Sequence, residues 1–228
     1  MPELRRFDIF RGLPDARLRD LANSCTQIRA ARNDLIIDQV SEDRDVYFVS
    51  SGTVRAIIFS ATGREVSFRD ITDGGMFGEF AALDDGARSA CVIATRPSEI
   101  VRMPQAVFRR LVFEDHAVLD VLLRHLILLL RHYTARVVEL SMLPVAGRVH
   151  AELLRLSREV QPAGETVTLV PFPTHAELAA RLGTHREAVT RELNRLVDAG
   201  IVRTARGRLE ILDLGRLSEL ILDAELGD

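Results

Sequence analysis

The sequence contains no lysine: all 30 basic residues are Arg. Arg and Lys are not physically interchangeable, so no single chemical demand would place Arg at every site, and the bias is read as genomic in origin. Cysteine is almost as scarce. Cys25 and Cys91 cannot build a four-cysteine iron–sulfur or zinc site unaided, and they could form at most one disulfide; a reduced, cytoplasmic setting is expected. Long apolar runs are missing too. The most apolar stretch, 118–130, is interrupted by Asp120, Arg124 and His125 and is too short for a bilayer. The first residues, MPELRRFDIFRGLPDARL, scatter charge and lack the apolar core and cleavage site of a leader. A soluble protein with no membrane partner is expected. The 33 acidic residues leave a net charge of −3, which excludes a generally polybasic nucleic-acid binder but not a local basic patch. Nucleophile elbow, Walker loop and HExxH are all absent, so the chain is not expected to be an enzyme, and no catalytic or metal-ligating residue is assigned.

What is present is ordinary globular material, 228 residues with 47% apolar and 28% charged, arranged in three regions of different period. Residues 5–30 read as a short helical prelude. From Asp34 to about Arg102, short apolar or alternating runs (LII 35–37, VYFV 46–49, TVRAIIF 53–59, EVSFRDI 65–71, ACVIAT 90–95) are separated by Ser50-Ser51-Gly52, Thr62-Gly63, Asp73-Gly74-Gly75 and Asp84-Asp85-Gly86. Strands spaced by roughly ten residues predict an antiparallel barrel or sandwich. After Pro104 the period becomes helical. Leu123, Leu126, Leu130, Tyr133, Val137 and Leu140 advance in steps of three and four, as an a/d seam does, and Leu119, Leu122 and Leu129 add a second stripe. A helix apolar on two sides is buried against its own barrel and a partner subunit, or else is one long core helix of a monomer. Pro144 interrupts it, which makes Ser141–Pro144 a candidate hinge.

The last 85 residues read as a helix (146–159), a loop rich in Pro and Gly, two short helices and a small hairpin. Thr174-His175-Ala176-Glu177 and Thr184-His185-Arg186-Glu187 both have the form of a capping box. Leu178, Ala179 and Leu182 face inward from the first helix, Gly183 permits a sharp turn, and Val189, Leu193 and Leu196 face inward from the second. The second helix turns Arg186, Thr190, Arg191 and Arg195 outward. Helix, glycine turn and basic helix make a helix-turn-helix. The hairpin 201–212 around Ala205-Arg206-Gly207 reads as a wing. Across 174–208, seven Arg stand against four acids, a local +3 in an acidic chain.

Residues 77–90, FGEFAALDDGARSA, resemble the phosphate-binding cassette of cyclic-nucleotide-binding domains. The chemistry suits such a role. A buried cyclic phosphate needs an Arg and amide donors in place of water, and a carboxylate can accept from a ribose hydroxyl. The resemblance implies that Glu79 binds the ribose 2′-hydroxyl and Arg88 the cyclic phosphate. Ser89 would add a hydroxyl, and Gly78, Phe80, Ala81 and Ala82 would add backbone contacts. Ala87 stands where many cassettes have Pro. On the residues alone, Glu79 and Arg88 could instead pair with each other in a barrel that has lost its ligand.

The order of barrel, long helix and winged helix-turn-helix resembles the CRP/FNR superfamily of bacterial transcription regulators over essentially the whole chain. Arg186-Glu187-x-Val189-x-Arg191 is similar to that family's R-E-T-V-x-R stretch. The expected fold is therefore α+β: an N-terminal antiparallel β-roll, jelly-roll-like sensor domain (1–115), a dimerisation helix and hinge (116–143), and a C-terminal winged helix-turn-helix domain (144–228). By the same resemblance Arg186, Glu187 and Arg191 read bases of a TGTGA-like half-site, while Thr174, Thr190 and Arg206 contact phosphates. Glu187 has an alternative role as the capping partner of Thr184. Tyr133 and Thr134 lie where the family reaches the purine, although Tyr133 departs from its pattern and could be a seam aromatic. The implied effector is cAMP, more readily than cGMP, with a larger dinucleotide, another effector or none left open. The implied partners are a palindromic DNA operator, a second copy joined through residues 117–140, and RNA polymerase. A haem or iron–sulfur cluster is not expected: the six His show no axial-ligand signature, and His125 and His132, which share a helix face, read as polar edges of the dimer helix. A nucleotide-responsive interaction module without DNA activity is the alternative of another class, and the basic face of the second helix argues against it.

Overall fold

The computed structural model describes residues 3–59, 65–158, 160 and 166–226. The Thr62-Gly63 turn and most of the Pro/Gly-rich loop after residue 158 lie outside the described residues. Chain contacts separate two compact units, 1–130 and 131–228.

The first unit opens with two 3₁₀ turns, Leu4–Arg6 and Asp8–Phe10, and helix α1 (Asp15–Asn23). Eight strands follow: β1 (Thr26–Ala30), β2 (Leu35–Ile37), β3 (Val46–Ser51), β4 (Thr53–Phe59), β5 (Glu65–Thr72), β6 (Met76–Phe77), β7 (Cys91–Ala94) and β8 (Ser98–Met103), with the short helix α2 (Glu79–Asp84) between β6 and β7. They form two four-stranded antiparallel sheets, in the orders β1-β8-β3-β6 and β2-β7-β4-β5. β3 explains why both sheet faces are dry. Tyr47 and Val49 join Val54, Ile71, Val92 and Ile100 in a core fed by both sheets. Val46 and Phe48 turn the other way, into Phe7, Phe10, Phe108, Leu111 and Leu122. A strand buried on both faces reads as a continuous apolar run, as 46–49 does. The prelude is only partly helical: Thr26–Ala30 pairs with β8 as an edge strand. Helix α3 (Gln105–Glu114) and the long helix α4 (His116–Met142) close the unit, Val118 and Leu122 entering the helix-side core.

In the second unit α5 (Val145–Arg158) begins after Pro144, and β9 (Val167–Leu169), α6 (His175–Arg181), α7 (Arg186–Asp198), β10 (Val202–Ala205), β11 (Arg208–Ile211) and α8 (Leu214–Leu226) follow. β9 joins the hairpin as a third strand in the order β10-β11-β9. Neither β9 nor α8 was legible from turn signals and periodicity. Leu217 of α8 packs fully buried with Val149, Leu153, Leu182 and Leu193. The contact division falls within the segment read as a dimerisation helix, between Leu130 and Arg131. The last turns of α4 belong to the second unit, where Arg136 donates to the Arg181 carbonyl at 2.6 Å and lies 3.8 Å from Glu152.

The inward and outward faces of α4 are both apolar. Val118, Leu122 and Leu129 are buried, while Leu123, Ile127, Leu130 and Val137 are 49–68% exposed. Both cysteines are free thiols, and burial pushes the Cys25 thiol up to about 11.

Candidate effector site and nucleic-acid interface

The cassette begins where β6 runs into α2 through Gly78, whose φ is +84°. A Cβ there would lie 2.8 Å from Arg88 Nη1 and 2.9 Å from the Asp45 carbonyl, so this position needs glycine for both its backbone conformation and its closeness to the guanidinium. Arg88 is 4% exposed. Its Nη1 donates to the Gly78 carbonyl (3.0 Å), and its Nη2 donates to Asp43 Oδ1 and to the Asp45 carbonyl (both 2.9 Å). Its Nε is buried with no acceptor among the described residues. Tyr47 stacks on Phe77, lies under the guanidinium at 5.8 Å, and donates its hydroxyl to Asp43 Oδ2 at 2.7 Å. Burial, and then the Asp43 carboxylate, push the Tyr47 phenol up.

Glu79, at 3% exposure, faces Arg69 and the imidazole of His125 rather than Arg88. Arg69 Nη2, which also donates to the Met76 carbonyl, lies 3.8 Å from its Oε1, and His125 Nε2 of α4 lies 3.4 Å from the same oxygen. The alternative in which Glu79 and Arg88 neutralise each other is thus not the arrangement found. The reading of His125 as a polar edge of the dimer helix also changes: its Nε2 is buried against Glu79 without a hydrogen bond. The signal was in the sequence, because 118, 122, 125 and 129 step by four, three and four along the inward stripe. Ala81 and Ala82 are buried, and the Ala82 carbonyl is taken by Gln105 and Arg109 of α3; Phe80 and Ser89 are exposed. Tyr133, half-buried beside His132, and exposed Thr134 belong to the second unit. Sequence reasoning missed Asp43, Tyr47 and Arg69, which come to the cassette from other strands and loops.

A nucleotide effector fits this donor set: a buried cation with an unsatisfied N–H, a buried carboxylate close by, and a glycine where a side chain would intrude. Among the described residues no group of three or more His, Cys, Asp or Glu could hold a metal ion, and no helix is long and apolar enough to cross a membrane.

In the second unit α6 is closed by a complete capping box. Thr174 Oγ1 accepts from the Glu177 amide (3.2 Å), and the Glu177 carboxylate accepts from the Thr174 amide (2.8 Å) and hydroxyl (2.9 Å). The second expected box does not form. His185, not Thr184, is the N-cap of α7, with no side-chain cap, and Thr184 is buried one residue earlier. Gly183, at φ +60°, makes the turn that pulls Thr184 inward. Glu187 is therefore not a capping residue and stands exposed with Arg186 and Arg191. Thr190 Oγ1 donates to the Arg186 carbonyl (2.9 Å) and lies 2.8 Å from His175 Nδ1, which braces it from α6. Arg195 is tied to Glu192, itself 2.6 Å from the buried His150 Nε2. Arg186, Arg191 and, at the exposed tip of the β10–β11 hairpin, Arg206 have no ion pair among the described residues. Beneath this surface Glu152 is surrounded by Arg155 (2.7 Å), Arg181 (3.3 Å) and Arg136; burial alone would raise its pKa, but these cations hold it below the usual carboxylate range.

Comparison with known proteins agrees with both halves. Residues 27–115 match the cyclic nucleotide-binding domain, and residues 147–220 match the Crp-like helix-turn-helix domain. The chain is 32% identical over 217 residues to a cyclic AMP receptor protein of Thermus thermophilus, covering 93% of this chain and 95% of that protein. It is 29% identical over 193 residues to the cAMP-activated global transcriptional regulator Vfr of Pseudomonas aeruginosa, covering 81% and 88%. The crystal structure of a CRP/FNR-family transcriptional regulator from Thermus thermophilus superposes with a TM-score of 0.71 at 27% identity, covering 87% of this chain and all of that one. These matches point to regulators rather than enzymes. A cyclic-nucleotide-binding barrel followed by a Crp-like DNA-binding helix-turn-helix, with a relative this similar over almost its full length, makes the chain a transcription regulator of the CRP/FNR family.

Proposed function

We propose that the protein is a homodimeric regulator in which cAMP, in preference to cGMP, controls binding of α7 to a palindromic TGTGA-like operator. The observation that carries this reading is Arg88: a buried guanidinium with an unsatisfied Nε, set within the same cassette as buried Glu79. The cyclic phosphate is assigned to Arg88 with Ser89, the ribose hydroxyl to Glu79, backbone contacts to Gly78, Phe80, Ala81 and Ala82, and the purine to Tyr133 and Thr134. The names of the two curated relatives support cAMP.

The second copy joins through residues 117–140, where the outward apolar stripe of α4 supplies the seam. His125 gives Glu79 a contact on that same helix, so ligand at Glu79 and the setting of α4 are physically linked. Nucleotide shifts the population toward a geometry with the two α7 helices roughly 34 Å apart, one duplex turn. Arg186 and Arg191 pair with guanine and Glu187 accepts from cytosine, each contact discriminating by about 1–3 kcal/mol. Thr190 and Arg206 position the phosphates. Thr174 is assigned to the same work, although its hydroxyl is already engaged in the cap. RNA polymerase is the downstream partner.

A second reading keeps the fold and DNA binding without the nucleotide, and the Arg88–Asp43 pair favours it. Calorimetry with cAMP and cGMP separates the two. The expected result is saturable binding of cAMP that disappears in Arg88→Ala and tightens binding to a palindromic duplex. Silence from both nucleotides, with duplex binding intact, would sink the cyclic-nucleotide reading.

A further inference from the structure

Asp43 does something that neither the cassette motif nor the core requires. It sits in the loop between β2 and β3, with its side chain about a quarter exposed, and places its carboxylate on the one cation in the cassette suited to a phosphate. Three donors fix that carboxylate: Arg88 Nη2 at 2.9 Å and the Asp45 amide at 2.6 Å on Oδ1, and the Tyr47 hydroxyl at 2.7 Å on Oδ2. Burial would raise its pKa, but the Tyr47 and Asp45 hydrogen bonds and the charges of Arg88 and Arg102 outweigh burial and leave it below the usual range. It is an anion at neutral pH.

The geometry of the guanidinium makes this consequential. A planar guanidinium offers two forked edges to a bidentate anion, Nη1 with Nη2 and Nε with Nη2, and both use Nη2. The two Nη2 hydrogens of Arg88 go to Asp43 and to the Asp45 carbonyl. A phosphate can therefore engage either edge in bidentate fashion only by displacing one of these acceptors. The Asp45 carbonyl is backbone leading directly into β3, whereas Asp43 is a loop side chain. Nε, buried without an acceptor, is the half-edge on which an arriving phosphate oxygen would find a donor.

We propose that Asp43 is a built-in competitor for the anion bound by Arg88, so that it lowers the pocket's affinity and favours phosphodiesters whose two free oxygens can take over the guanidinium edge. The proposal rests on the reading of Arg88 as the phosphate ligand. Displaced, Asp43 would keep Tyr47 and the Asp45 amide, so the exchange need not unfold the loop.

The test compares the full chain with Asp43→Asn and Glu42→Gln. Glu42 is the exposed neighbouring carboxylate and touches neither Arg88 nor the cassette, so its loss reports the general effect of removing one negative charge. Each protein is titrated with cAMP and cGMP by calorimetry, and with inorganic phosphate by thermal shift. Asp43→Asn is expected to bind cyclic nucleotide about tenfold tighter than the parent, the size of one exchanged hydrogen bond to a charged group. It should also gain stabilisation from phosphate at concentrations that leave the parent unmoved, with Glu42→Gln matching the parent. Equal or weaker binding in Asp43→Asn, or an equal gain in Glu42→Gln, overturns the proposal. If no protein binds either nucleotide, the cyclic-nucleotide reading fails and the phosphate arm alone decides the role of Asp43. Should Asp43→Asn lose its thermal transition, Asp43→Ser takes its place under the same criteria.

Discussion

The two units use arginine in opposite ways. In the barrel Arg88 is enclosed, stacked on Tyr47 and given three acceptors at fixed distances. In the winged-helix unit Arg186, Arg191 and Arg206 stand in solvent with no ion pair among the described residues. An enclosed guanidinium acts where water cannot screen it, so it suits one small anion in one orientation. Exposed guanidinia are screened, and they suit a polyanion whose condensed counterions they release. The buried carboxylates of α5 and α7 make a third case. Glu152 and Glu192 are so thoroughly compensated by Arg and His that they can only hold helices in place.

The largest effect that would break this comparison comes from exchanging the two kinds of site. Arg88→Ala removes a buried guanidinium and takes one of three donors from the partly exposed Asp43, a loss of about 1.5–3 kcal/mol for a hydrogen bond to a charged group. Nucleotide binding should fall more than 100-fold, and wild-type nucleotide affinity should change little between low and high salt. Arg191→Ala should leave nucleotide binding unaltered and cost about 1–3 kcal/mol on the specific duplex alone. Nucleotide affinity that followed salt as steeply as duplex affinity would erase the distinction between enclosed and exposed cations.

Next in size is the pair formed by Glu192, on the buried face of α7, and His150 of α5. Burial pushes the Glu192 carboxyl up, but His150 and Arg195 pull it from 4.5 to about 2. A carboxylate whose folded value is depressed contributes stability that is fully present above its unfolded value and lost as pH falls through the folded one. The winged-helix unit should therefore lose on the order of 3 kcal/mol between about pH 4.5 and pH 2 through this group alone. Acid titration followed by circular dichroism checks this: Glu192→Gln should be less stable at pH 7 and should flatten that limb. An unchanged limb in the variant would mean that Glu192 is not the group that titrates there.

The sequence's reach differs between the same regions. The signals read correctly were local. Gly183 marks the sharp turn before α7, Thr174 and Glu177 cap α6, the run 46–49 forms a strand, and the steps of three and four after Pro104 form the long helix α4. What escaped depends on partners distant in sequence. Thr26–Ala30 is a strand because β8 pairs with it, and nothing in TQIRA requires that. Thr184 has the spacing of a cap but is drawn into the core, so His185 replaces it. The polar surroundings of Arg88 and Glu79 come from Asp43, Tyr47, Arg69 and His125, on a loop, two strands and a helix, which no motif at the cassette encodes. Only His125 left a trace, as a polar residue at an inward position of α4.

The smallest effect tests the exposed end of the comparison. Arg206 lies beside Gly207 at the tip of the β10–β11 hairpin, outside α7, and makes no ion pair among the described residues that its removal would break. Arg206→Ala should leave thermal stability within about 0.5 kcal/mol, as for other surface changes. If the side chain neutralises one phosphate, affinity should fall nearly uniformly across duplex sequences, and the slope of log affinity against log salt should become shallower by about one. Arg191→Ala should instead lower discrimination between operator and mismatched duplex. Measuring both variants on both duplexes at several salt concentrations separates positioning from reading. A loss confined to the operator in Arg206→Ala would move the wing from the phosphate backbone to the bases.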